Sequence, residues 1–187
     1  REVTMADYSL LAKQITSLAE VDAHWLPVLS NAAALLWDAL DDINWAGFYL
    51  VDSATVVGSG AEPDAGAAPS TGAAPSTHEL RTPELRLGPF QGKVACVRIP
   101  FGRGVCGTAA ATKTSQLVED VHQFPGHIAC DSASNSEVVV PIFKDGQVVG
   151  VLDIDSPNVA RFTQEDLAGL EQVVKALESY TNFSAFC

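Results

Sequence analysis

The side chains able to do chemistry in this sequence are four cysteines and a set of acids, and their pattern suggests thiol-based redox catalysis. Cys106 lies in the glycine-rich run 102–107 (GRGVCG), which leads into a short Ala/Thr helix at 108–112. Unpaired N–H groups and the helix dipole there favour a thiolate. Cys130 lies in a long polar connection with His127 and Asp131, where an imidazole aids reactivity and a carboxylate opposes it. Cys96 falls in an apolar run at 93–99, and Cys187 ends the chain.

The acids form a second constellation. Asp153 and Asp155 are two apart in the run VVGVLDID, so on a strand both side chains leave the same face. Two acids in such a run destabilise the fold unless they bind something; the alternative is a strand ending in the turn Asp155-Ser156-Pro157. Glu137 lies across a hairpin, and the turn decides its side. A two-residue Asp145-Gly146 loop pairs Glu137 with Ile154, away from both aspartates. A three-residue Lys144-Asp145-Gly146 loop with a bulge pairs it with Asp153, so a three-acid site predicts the longer loop.

A zinc site competes for the same residues, with His122 or His127 as a fourth ligand. Nine residues separate Cys96 from Cys106 and twenty-three separate Cys106 from Cys130, with no CxxC knuckle. That spacing argues against a structural metal, and none is expected.

The surrounding chain must position these groups. Its 187 residues suit one domain, expected over 1–187, and the net charge of -12 opposes binding to nucleic acid or anionic membranes. No apolar run reaches membrane-spanning length and no export signal is evident, so a soluble, cytoplasmic protein with reduced thiols is expected. Tyr8, Leu11, Ile15 and Leu18, then Trp25, Leu29, Leu36 and Leu40, recur at helical spacing. Residues 43–51 (INWAGFYLV) read as a strand covered on both faces. From about 52 to 83 the composition turns to Ala, Gly, Pro, Ser and Thr, with GAAPST written twice, which predicts a flexible insertion.

Strands are predicted at 84–87 and, more firmly, at 93–99, with Ala95, Val97 and Ile99 on one face and Cys96 on the other. A weak strand at 116–118 precedes a hairpin of 137–143 and 148–155, and Thr163 caps a final helix at 164–178. The fold class is α+β: an antiparallel sheet with N- and C-terminal helices packed on one face.

The runs WAGFYLVD, GPFQGKVACVRIPFGRGVCG, HIACDSASNSEVVVPI and DGQVVGVLDIDSP together resemble the free methionine-(R)-sulfoxide reductases, which are GAF-domain enzymes. The resemblance runs in order from Trp45 to Pro157, and the insertion interrupts none of its motifs. It implies Cys130 as nucleophile, Cys96 as resolving thiol and Cys106 as an alternative resolver. It further implies that Glu137, Asp153 and Asp155 bind the substrate's ammonium group and handle the proton for the leaving oxygen. Trp45, Phe48 and Tyr49 are candidates for an aromatic wall around the S-methyl group. The implied substrate is free methionine (R)-sulfoxide, with no bound cofactor and with thioredoxin or another dithiol as external reductant; any homodimer also rests on the resemblance. The competing readings are a small-molecule-binding GAF domain and a cysteine redox sensor, neither of which needs the acids for catalysis.

Overall fold

The computed structural model describes residues 6–52, 83–126 and 133–186. The body of the insertion, the residues His127, Cys130 and Asp131, and Cys187 lie outside the described residues. Two helices open the chain, α1 (Tyr8–Val21) and α2 (Trp25–Ala39). Asp7 caps α1 by accepting from the Leu10 N–H at 2.9 Å. Its buried stripe is Tyr8, Leu11, Ala12, Ile15 and Ala19. Leu18, expected on that stripe, is 36% exposed, because at 100° per residue the position above Ile15 belongs to Ala19.

The remaining elements are β1 (Trp45–Val51), β2 (Glu84–Gly92), β3 (Arg98–Pro100), α3 (Gly104–Thr112), β4 (Gln116–Val118), β5 (Ser136–Lys144), β6 (Gln147–Ser156) and α4 (Gln164–Tyr180). The strands form one six-stranded sheet in the order β3-β2-β1-β6-β5-β4, with every neighbouring pair antiparallel. No helix among the described residues is long and apolar enough to cross a membrane.

The sheet is buried on both faces, and alternation along β1 shows why. Ala46, Phe48 and Leu50 point to the side covered by α1, α2 and α4, where they join Leu29, Leu36, Leu152, Ile154, Val173 and Leu177. Trp45 and Tyr49 point the opposite way, into a smaller cluster with Leu85, Ile99, Val139, Val151 and α3 residues Val105, Cys106 and Ala109. Phe48 therefore leaves the aromatic wall it was a candidate for. Strand period places it one residue out of phase with Trp45 and Tyr49.

The terminal helices pack as expected on one face. Thr163 and Asp166 form a reciprocal capping box at the start of α4. The Tyr8 hydroxyl donates to Asp166 Oδ1 at 2.6 Å, which ties α1 to that same cap. Burial, then this bond, push the Tyr8 phenol well above its ordinary range.

Two expectations fail near β2. The strand runs to Gly92 rather than ending at Leu87, because a register shift opposite Phe48 absorbs Gly88 and Pro89, where a proline has no ladder bond to donate. Residues 93–97 are then not a strand: Gly92 adopts a φ of 122°, the chain leaves the ladder, and pairing with β2 resumes only at β3. Ala95 and Cys96 pack against the α3-side cluster, so Cys96 does not turn away from apolar surroundings, while Val94 and Val97 point outward.

Candidate functional site

The hairpin sets the acids. Its turn is two residues long, with Asp145 at φ 50° and Gly146 at φ 76°, the paired positive angles of a tight hairpin turn. The longer loop predicted for a three-acid site is therefore absent. A bulge takes its place: Phe143 pairs with Val148 but Ile142 pairs with Gly150, so one extra residue on β6 shifts every later pairing. Glu137 consequently lies opposite Asp155, not Asp153, and Val139 lies opposite Asp153. Paired residues share a face, so all three carboxyls leave the sheet on the α3 side.

On that face β1 contributes Trp45, opposite Asp155, and Gly47, opposite Asp153. Trp45 stacks on Tyr49 with ring centroids 5.7 Å apart and on Phe90 at 5.3 Å, and its indole N–H donates to the Lys93 carbonyl at 3.2 Å. Above the acids stands α3, whose first turn carries Cys106. The Cys106 thiol donates to Glu137 Oε1 at 3.9 Å. One donor atom from each of Cys106, Glu137 and Asp153 lies within 4.8 Å of the others, and all three residues are buried.

Burial dominates the electrostatics. Desolvation, followed by the Asp153 and Asp155 charges, pushes the Glu137 carboxyl well above its ordinary range. Desolvation raises Asp153 to about 7 against the pull of bonds to Cys106 and Glu137. The same causes overturn the thiolate expected at Cys106: desolvation, then the Asp153 and Glu137 charges, push the thiol up, and this outweighs the helix dipole. Burial and the acids beneath it also raise the Tyr49 phenol. Near neutral pH the cluster thus retains protons on Cys106 and Glu137, with Asp153 divided between its acid and carboxylate forms. Its sulfur and two carboxyls could bind a divalent cation only by giving up those protons.

Asp153 Oδ1 is buried and has no hydrogen-bond partner among the described residues. An orphaned acceptor of this kind costs about 1–3 kcal/mol unless a ligand donates to it. A groove of about 520 Å³ lined by Trp25, Leu26, Arg86 and Pro89 lies between α2 and β2, but it holds neither a thiol nor one of the three clustered acids.

Cys96 is disulfide-bonded, and Cys106 is a free buried thiol. The partner of Cys96 and the residue Cys130 lie outside the described residues. The chain on either side of 127–132 is anchored at the rim of the acid face. The Gly104 N–H, at the start of α3, donates to the Gly126 carbonyl at 3.1 Å. The Asn135 N–H donates to the Ser156 carbonyl at 2.7 Å, and Asn44 Nδ2 donates to Ser134 Oγ at 3.1 Å. His122 is exposed and its Nε2 meets Asn135 Oδ1 at 2.9 Å, apart from the buried cluster.

The chain is 47% identical to the free methionine-R-sulfoxide reductase of Escherichia coli, over 91% of this chain and 86% of that one. It is 43% identical to the free methionine-R-sulfoxide reductase of Saccharomyces cerevisiae, over 86% and 77%. The chain belongs to the free methionine-R-sulfoxide reductase family. The GAF domain model matches residues 25–179, in keeping with the sheet and helices described above. A solved structure of fRMsr from Staphylococcus aureus in complex with substrate matches with a TM-score of 0.76 and 45% identity, covering 97% of this chain and all of that one.

For this reductase-family member, sequence reasoning missed Gly47. A Cβ there would stand 2.3 Å from Phe90 Cβ and 2.8 Å from the Trp45 ring, so only glycine keeps the floor between Trp45 and Tyr49 open. The signal was present as a lone glycine inside the aromatic strand WAGFYLV.

Proposed function

We propose that this protein reduces free methionine (R)-sulfoxide to methionine. The observation that carries the reading is the buried Glu137–Asp153 pair, whose carboxyls burial raises so that they hold protons near neutral pH. The pair lies beside the aromatic wall, with Asp153 Oδ1 lacking a donor among the described residues. A free amino acid supplies that donor through its ammonium group, which a methionine within a peptide lacks. The reductase names of the relatives, and the substrate-bound Staphylococcus aureus protein, support the same substrate.

In the mechanism we infer, one acid and Asp155 hold the ammonium group while a protonated carboxyl hydrogen-bonds the sulfoxide oxygen. Trp45 and Tyr49 enclose the S-methyl group. The Cys130 thiolate attacks the sulfoxide sulfur; the oxygen, protonated, passes to the cysteine as a sulfenic acid, and methionine leaves with two more electrons than it brought. Cys96 then attacks the sulfenic sulfur, releasing water and closing a disulfide, which thioredoxin or another dithiol reopens. The bond already present at Cys96 supports its role as resolver over Cys106, whose buried neutral thiol is the slower nucleophile.

A disulfide at Cys96 would equally suit a redox sensor; the buried acids would not be needed there. The deciding assay is dithiothreitol-driven loss of free methionine sulfoxide, with R and S epimers tested separately. We expect turnover of the R epimer, abolished in Cys130→Ser and reduced at least about a hundredfold in Asp153→Asn. Full activity in Cys130→Ser would remove the nucleophile, and no turnover of either epimer by the intact protein would leave the sensor.

A further inference from the structure

A disulfide at a catalytic site is useful only if a reductant can reach it, and the chain around Cys96 is unlike the rest of the surface. Residues 85–118 contain five lysines and arginines and no aspartate or glutamate. Since the whole chain carries -12, the remainder carries -17. Four of the five cations lie within or beside the segment that holds Cys96: Arg86 on β2, Lys93 before the cysteine, Arg98 on β3 and Arg103 just after it. Arg86 and Arg98 are paired across β2 and β3, and each is about half exposed while bridging to an acid, Asp52 and Glu84 respectively. Lys93 and Arg103 are exposed on either side of β3.

Within that cationic frame the segment presents apolar surface. Val94 is 88% exposed and Val97 66%, although both are β-branched residues that would ordinarily be covered. They flank Cys96 at two residues before and one after, while Ala95 and Cys96 pack against the α3-side cluster and stay partly exposed. The backbone here lies outside the sheet, held to it by the Leu87 N–H donating to the Val97 carbonyl at 3.0 Å. Two exposed valines beside a disulfide, ringed by cations in a strongly acidic protein, are complementary to a partner with an apolar rim around its thiol and carboxylates beyond it.

We propose that residues 93–98 are the docking surface for an acidic dithiol protein of the thioredoxin class, whose thiolate attacks Cys96 Sγ rather than its disulfide partner. The inference rests on the reductase reading above. The incoming thiolate forms a bond to Cys96 Sγ as the Cys96 disulfide breaks, and the partner cysteine leaves as a thiolate. The reductant's second thiol then displaces Cys96 from the mixed disulfide. The reductant is oxidised to its own disulfide and the protein gains two electrons and two protons. Attack at this sulfur releases the partner cysteine as a thiolate, the form in which the proposed nucleophile attacks the sulfoxide.

The test follows reopening of the disulfide in pre-oxidised protein, by thiol labelling and mass, with reduced thioredoxin or with dithiothreitol; no sulfoxide is needed. Val94→Asp with Val97→Asp should slow thioredoxin by about tenfold or more and leave dithiothreitol unchanged, and Lys93→Glu with Arg103→Glu should act in the same direction. Added salt should slow thioredoxin on the native protein alone. Val94→Ser with Val97→Ser, which adds no charge, covers the case in which the aspartates disturb folding. A thioredoxin lacking its resolving cysteine should be trapped on Cys96. Equal rates in all variants, an equal loss with both reductants, or a trapped adduct on the other cysteine would overturn the proposal. Failure of sulfoxide turnover in the intact protein would instead remove the reductase reading and leave the docking result standing.

Discussion

Asp153 and Glu137 place a measurable pH signature on the protein. Both carboxyls are raised by burial, so in the window from about 4, where the unfolded acids ionise, to about 7, the folded chain holds more protons than the unfolded one. The sign is then fixed: their contribution to stability is full below the unfolded pKa and is lost as pH rises through the folded one. Thermal denaturation should show the Tm falling between pH 5 and 8, and Asp153→Asn, which cannot ionise, should flatten that slope; an unchanged slope would refute the account. Cys106 offers a second check. Its thiol should be alkylated by iodoacetamide at least about tenfold more slowly than an exposed cysteine near neutral pH, until denaturant is added. The aspartates were legible in VVGVLDID because acids inside an apolar strand are costly. The protonated state of Cys106 was not, since a helix N-terminus is local while desolvation depends on β5 and β6 being underneath.

The strands carry the site through their irregularities. The bulge opposite Ile142 returns Glu137 to the acid face after a two-residue turn has sent it the other way, and the shift opposite Phe48 lets Pro89 sit in β2. Alternation and turn chemistry predicted the elements on either side, but a bulge leaves no mark on hydrophobic pattern, which is why the sequence left both loop lengths open and tied a three-acid site to the longer one. Residues 93–99 were misread for a related reason: their β-branched alternation is real, yet Gly92 turns the chain out of the ladder. The floor of the site rests on one small residue. Gly47→Ala must displace Phe90 or Trp45, which overpacking puts at about 1–3 kcal/mol of stability. It should raise KM for the sulfoxide more than it lowers kcat, since the wall moves and the acids do not. Kinetics equal to the parent's would show that the wall has slack.

At the scale of the molecule, the helix pair α1 and α4 matters more than the family match suggests. The GAF domain model begins at residue 25, beyond α1, yet Tyr8, Leu11 and Ile15 are buried against the helix-side core and Tyr8 also closes the α4 cap. Deleting residues 1–22 would uncover roughly 5–10 kcal/mol of apolar burial, comparable to the whole stability of a domain. The truncated chain should lack a cooperative thermal transition; a Tm within a few degrees of the parent's would show α1 to be dispensable. The sheet itself then acts as a partition. Its helix-side core is mainly apolar, with the buried Tyr8–Asp166 bond joining α1 to α4, and secures the fold. The opposite side carries the clustered buried acids, the orphaned Asp153 oxygen and an exposed apolar strip, all of them costs. Apart from edge contacts such as the Ser115 hydroxyl donating to Glu171 on α4 at 2.7 Å, the sheet backbone separates the two sides, so most amino-acid changes on one are insulated from the other. A lineage could therefore retune the substrate, or exchange one reductant for another, by altering the α3 side alone, while the helix layer drifts under an independent constraint.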